Sequence, residues 1–123
     1  MADNTNIKNS NRSKGAQKEE LAAKYLTDNN VKILCRNFYF HGGEIDIIAK
    51  DGNYLCFIEV KYRSGKGFGM PVEAVGKTKI ARMLKGAKNY LLYKKLSFET
   101  PCRFDVISIL NDEITWYKNV YMG

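Results

Sequence analysis

Apolar positions along this chain change period several times, and each change marks an element. Between residues 16 and 29 they fall at Leu21, Ala22, Tyr25 and Leu26, the spacing of an amphipathic helix, which Asn29-Asn30 closes with turn chemistry. Residues 31–40 are rich in β-branched and aromatic side chains and predict a strand. His41-Gly42-Gly43 turns the chain into a second strand over 44–49, Asp51-Gly52 is a hairpin signal, and 54–62 reads as a third strand. Gly65, Gly67 and Gly69 punctuate a flexible loop over 64–69, and Pro71 suits the first turn of a long helix reaching about residue 93. That helix sets Val72, Val75, Ile80, Met83, Leu84, Ala87, Tyr90 and Leu91 along a broad apolar face. Strands over 103–110 and 114–117 follow, joined at Asn111-Asp112. The order is α-β-β-β-α-β-β, an α/β (α+β) pattern with no internal repeat or linker. We expect one domain over 15–123, after a disordered basic tail over 1–14.

The central hairpin carries the chemistry. A two-residue Asp51-Gly52 turn would set Ile45 opposite Ile58 and Ile47 opposite Cys56, one continuous apolar surface. The other surface then holds Glu44 opposite Glu59, with Asp46 diagonal to Glu59. Because strand side chains alternate, Asp46, Glu59 and Lys61 should share one face, and Ile45, Ile58 and Val60 the other. Like charges facing each other across a pair are destabilising. A divalent ion resolves the conflict, and a few hard oxygen donors completed by water suit Mg²⁺ or Mn²⁺. Asp46 and Glu59 are the candidate metal ligands, with the Val60 carbonyl beside them. Lys61 could orient an attacking water or stabilise charge on a phosphate. The plain alternative is that these acids pair with neighbouring lysines or reach solvent at the sheet's end. Glu19 is a further candidate, since it shares a helix face with Ala22, Ala23 and Leu26; a favourable helix dipole explains it equally well.

Composition sharpens the picture in one place. The 123 residues carry a net charge of +7, but ten basic residues stand against Glu73 alone between 61 and 95, a local +9 that leaves −2 for the rest. Such concentration suits a polyanion, nucleic acid above all, although a solvated helix face fits too. Arg63, Lys77, Lys79, Arg82 and Lys85 are the candidate phosphate contacts. No apolar run is long enough to span a membrane, and the Asn- and Ser-rich start does not read as a signal peptide. Cys35, Cys56 and Cys102 are odd in number and form no CxxC. They read as thiols in a reducing cytoplasm, and with one histidine a zinc site is not expected.

These residues also form strings with a counterpart elsewhere. Gly43-Glu44-Ile45-Asp46-Ile47-Ile48-Ala49 followed by Phe57-Ile58-Glu59-Val60-Lys61-Tyr62-Arg63 resembles the PD-(D/E)XK nuclease superfamily, in its Holliday-junction-resolvase-like branch. The closer resemblance is to the YraN family, uncharacterised protein family 0102. Arg36-Asn37, Pro71, Ala74-Val75, Lys79 and Arg103-Phe104-Asp105-Val106 match in the same order. Ile45 stands where the superfamily name has proline, and Lys18 where the family tends to have glycine. The resemblance implies a restriction-endonuclease-like αβββαβ core, a mixed sheet flanked by two helices. It also implies Asp46 and Glu59 as metal ligands, Lys61 as catalytic lysine, Glu19 as a first-helix glutamate of the site and Lys79 as a second-helix lysine. The expectation is a Mg²⁺- or Mn²⁺-dependent endonuclease on nucleic acid, DNA more than RNA, with no membrane partner and room for a homodimer. The alternative is a binding module with little or no turnover that serves a repair or processing complex.

Overall fold

The computed structural model describes residues 10–63 and 77–120, with side chains from 15 onward. Its elements are α1 (Ser10–Asp28), β1 (Lys32–Phe40), β2 (Gly43–Asp51), β3 (Tyr54–Arg63), α2 (Lys77–Tyr93), β4 (Cys102–Leu110) and β5 (Glu113–Tyr117). The expected 64–69 loop and the Pro71 helix start lie outside the described residues. Helix α1 begins at Ser10, earlier than the apolar spacing indicates, because its first turns carry no apolar stripe to read.

All five strands form one sheet in chain order. Neighbours are antiparallel except β3 and β4, which run parallel because α2 carries the chain back across the sheet. The result is the mixed, restriction-endonuclease-like sheet with a helix on each face. On one face Ala22, Ala23 and Leu26 of α1 pack on Ile47, Cys56, Ile58, Ile107 and Ile109. On the other, Met83, Ala87, Tyr90 and Leu91 of α2 pack on Ile48, Leu55, Phe57 and Phe104. Burial on both faces explains the unbroken apolar run from Leu55 to Ile58. Gly86 brings α2 unusually close to the sheet: a Cβ there would lie 2.6 Å from Phe40 Cε1 and 2.7 Å from Ile45 Cδ1.

The β2–β3 register differs from the sequence expectation by two residues. Asp51 pairs with Tyr54 and Ile47 with Ile58, so the turn is Gly52-Asn53 and not Asp51-Gly52. Gly52 has φ +61 and Asn53 does not join it in that region, which suits a turn with glycine at its first central position. Glu44 therefore does not face Glu59; it pairs with Tyr39 on β1.

A second departure lies at Asp46. Ile47 packs on the α1 side and Ile45 on the α2 side, although two residues along a strand should share a face. The neighbouring strand keeps its register at the matching point, its one shift lying between Ile33 and Cys35, but its backbone turns left-handed there. Arg36 pairs with Ile47 and Phe38 with Ile45, and Asn37 between them has φ 57. Arg36 and Asn37 consequently both reach α1, bonding Glu20 and Glu19, while Phe38 joins the α2 side. Ile45 thus lies with Phe57, not with Ile58 and Val60 as strict alternation requires.

On β4, level with Ile58, Asp105 is fully buried and saturated. It accepts from Arg103 Nε and Nη2 at 3.0 and 2.9 Å, Trp116 Nε1 at 3.0 Å and the Asn119 N–H at 2.8 Å. Arg103 also reaches Asp51 at 2.9 Å, tying β2 and β4 at the hairpin turn. Removing one partner of a buried ion pair leaves an uncompensated charge, so Asp105→Ala should destabilise the fold by about 3–5 kcal/mol in denaturant titration.

Candidate active site

Where β2 and β3 part, Asp46 reaches across the seam. The ladder's last pair is Ile47 with Ile58, and beyond it the Val60 N–H donates to Asp46 Oδ2 at 2.8 Å. A side chain thus takes the place of a ladder carbonyl. Glu19 on α1 and Glu44 on β2 converge on the same spot: one carboxylate oxygen from each of Glu19, Glu44 and Asp46 lies within 4.8 Å of the others. The amide of Asn37 donates to Glu19 Oε1 at 3.1 Å, which holds that carboxylate toward the group. The left-handed backbone at Asn37 makes this reach available.

Glu59 arrives differently. Its Oε2 takes Lys79 Nζ from α2 at 2.8 Å and Lys61 Nζ at 3.6 Å. Alternation from Ile58 and Val60 places Glu59 and Lys61 on the α2 side, and the Lys79 contact agrees. Asp46 and Glu59 therefore approach the opening from different sides of the seam and not from one regular face.

The two acids differ electrostatically. Burial raises the Asp46 carboxyl to about 7, aided by repulsion from Glu59, Glu19 and Glu44 and opposed by the Val60 N–H. Glu19 is also raised, by burial first and Glu44 next, with Arg36 pulling the other way. Among the described residues no lysine or arginine forms an ion pair with Glu19, Glu44 or Asp46, whereas Glu59 has two. Oxygen-only donors, closely spaced and short of positive charge, are the donor chemistry that fits a hard divalent cation.

The candidate phosphate contacts spread along one border. Arg63 lies two residues beyond Lys61, and its Nε is buried with no hydrogen-bond partner among the described residues. Arg82 Cδ and Lys85 Nζ lie 2.7 and 3.3 Å from where Cβ atoms on Gly43 and Gly42 would stand, so both side chains cross the β1–β2 turn beside Glu44. Lys77 is exposed at the start of α2, and Lys79 is drawn into the ion pair with Glu59. Glu44's place beside Glu19 and the role of Asn37 were not foreseen from sequence. The signal available for Asn37 was an asparagine inside a β-rich run, where strands disfavour it and left-handed backbone tolerates it.

A mixed β-sheet between two helices is the architecture of a restriction-endonuclease-like core, here with an acidic group at the strand seam. The model of uncharacterised protein family UPF0102 matches residues 18–109. UPF0102 proteins of Lachnoclostridium phytofermentans and Shewanella loihica are 46% and 40% identical over 107 and 108 residues. Those matches cover 87% and 88% of this chain and 91% and 93% of the relatives. A UPF0102 protein of Clostridium kluyveri is 48% identical over 100 residues, 81% of each chain. The chain belongs to this family, the YraN family.

The raised Asp46 carboxyl has a consequence for stability. The folded chain holds a proton there up to about pH 7, whereas an unfolded aspartate releases it near its ordinary value of 3.8. Stability from this group is therefore greatest in acid and falls as pH rises across that window, by roughly 1.4 kcal/mol for each pH unit separating the two values. In metal-free buffer, Asp46→Asn should melt several degrees above the wild type at pH 8 and close to it at pH 4, by calorimetry.

Proposed function

We propose that this protein is a divalent-metal-dependent endonuclease that hydrolyses phosphodiester bonds in nucleic acid, DNA more than RNA. The observation that carries the reading is the seam itself. Glu19 and Glu44, which form no ion pair with a lysine or arginine among the described residues, meet a buried Asp46, and the Glu59–Lys61 pair enters the same opening from the other strand. Asp46 and Glu59, with Glu19 and Glu44 adjacent, would hold Mg²⁺ or Mn²⁺. The bound ion would supply a water of lowered pKa and neutralise phosphoryl oxygens. The Val60 N–H fixes one Asp46 oxygen and leaves the other for a ligand. Asn37 keeps Glu19 turned inward. Lys61, two residues from Glu59 on the same strand, is placed to orient the nucleophilic water or to steady charge on the scissile phosphate. Arg63, Lys77, Arg82 and Lys85 would grip the flanking phosphates, which positions a strand without reading its bases. Among the described residues no helix is long and apolar enough to cross a membrane, and the three free thiols suit a reducing cytoplasm.

One observation favours a second reading. Glu59 is already held by Lys79 and Lys61, and a carboxylate in that state must exchange a lysine for a metal. A chain that never makes this exchange would be a nucleic-acid-binding module in a larger processing complex.

Cleavage of linear and branched DNA with Mg²⁺ or Mn²⁺ separates the two. Asp46→Ala and Lys61→Ala should each lower cleavage by about 100-fold or more, as expected for groups at the reacting phosphate. Wild-type protein that binds DNA yet cleaves none with either metal supports the binding module instead. Affinity should fall steeply with salt, because each neutralised phosphate releases counterions, and the Lys77, Arg82 and Lys85 triple alanine variant should flatten that dependence.

A further inference from the structure

Beside the acidic group lies a cavity that none of the chemistry above uses. It has a volume of about 480 Å³, runs along β1, an outer strand of the sheet, and is lined by Asn37, Phe38, Tyr39, Phe40, Asn89 and Tyr93. Tyr39 and Tyr93 are each 69% exposed, an uncommon state for two large rings bordering one cavity. Phe38 and Tyr93 lie with ring centroids 6.1 Å apart. The cavity joins the acids through two residues. Asn37 donates to Glu19, and Tyr39 pairs with Glu44.

The surrounding charge decides what suits it. From Lys77 to Lys95 the chain has seven basic residues and no acidic one. Lys85 borders the β1–β2 turn, and Lys94 Nζ stands 5.5 Å from the Tyr93 ring centroid. A second copy of this chain would bring another +7 and the same lysines against them, which disfavours self-association here. A flat ring carried on an anionic backbone fits both features. Bases within a duplex are already stacked and hidden, whereas unpaired bases offer a free face to aromatic side chains.

We infer that this cavity binds an unpaired nucleobase of single-stranded nucleic acid, so that the strand's backbone passes the Glu19–Glu44–Asp46 group. The inference rests on the nuclease reading for its substrate class and narrows that substrate to strands with unpaired bases near the cut.

The test uses the full chain in chelating buffer, where no cleavage occurs, with three fluorescent DNA probes of equal length: a mixed-sequence single strand, the same strand made abasic, and a duplex. The base-bearing strand should bind about tenfold more tightly than the abasic one. Tyr39→Ala and Tyr93→Ala should each erase most of that preference while leaving duplex affinity unchanged. Tyr39→Phe and Tyr93→Phe, which keep the ring, should retain it. Equal binding of abasic and base-bearing strands overturns the inference. So does a preference that survives both alanine variants, or a dimer in sedimentation that those variants dissociate without altering strand binding. A chain that shows the base preference but does not cleave with metal loses only the catalytic reading. One that cleaves without the preference loses only this inference.

Discussion

The hydrogen bond from the Val60 N–H to Asp46 holds the site together, because it settles how β2 and β3 separate. Between antiparallel strands a backbone donor normally finds a carbonyl. Here a carboxylate substitutes, so the strands can part without stranding the donor. The exchange buries Asp46 beside three other acids and burdens its charged form. The left-handed backbone at Asn37, the approach of Glu19 and the position of Glu44 all gather at the same break. If the ladder continued regularly, Asp46 would be an ordinary strand residue and the opening would close.

The sheet treats two of its acids in contrary ways. Asp105 is completely buried yet surrounded by donors from Arg103, Trp116 and Asn119, so its charge is matched inside the fold. Asp46 is less buried and has one backbone donor. A fold needs the first arrangement merely to stay closed, whereas the second is costly unless something from outside completes it. That contrast distinguishes the two aspartates more clearly than burial does.

Most of the architecture was readable in the chain. Element order, the two helices and the Asn111-Asp112 turn follow from apolar periodicity and turn residues, and that turn has both residues at positive φ with Leu110 paired to Glu113. The burial of Ala22, Ala23 and Leu26 beside Glu19 was legible for the same reason. The β2–β3 register was not. Moving it by two residues leaves apolar partners facing one another, so the hydrophobic pattern cannot tell the two registers apart, and the glycine's place in the turn decides. The reversal at Asp46 was hidden too, since a local break in alternation leaves no mark on composition. Lys79 could be placed in the site by resemblance, but its bond to Glu59 depends on how α2 lies across the sheet.

The crossover through α2 also orders assembly in time. Everything from α1 to β3 is contiguous in sequence and joined by tight turns, so that portion can organise through short loop closures. The β3–β4 pairing must wait for a long excursion, and Lys79 arrives with it. Glu19, Glu44, Asp46, Glu59 and Lys61 are thus all present in the early segment, while Lys79, the nearer of the two lysines on Glu59, is added late. During synthesis a ribosome-bound chain would already hold its acids before it gained that lysine, and a cation present at that moment would meet Glu59 with its α2 partner still missing.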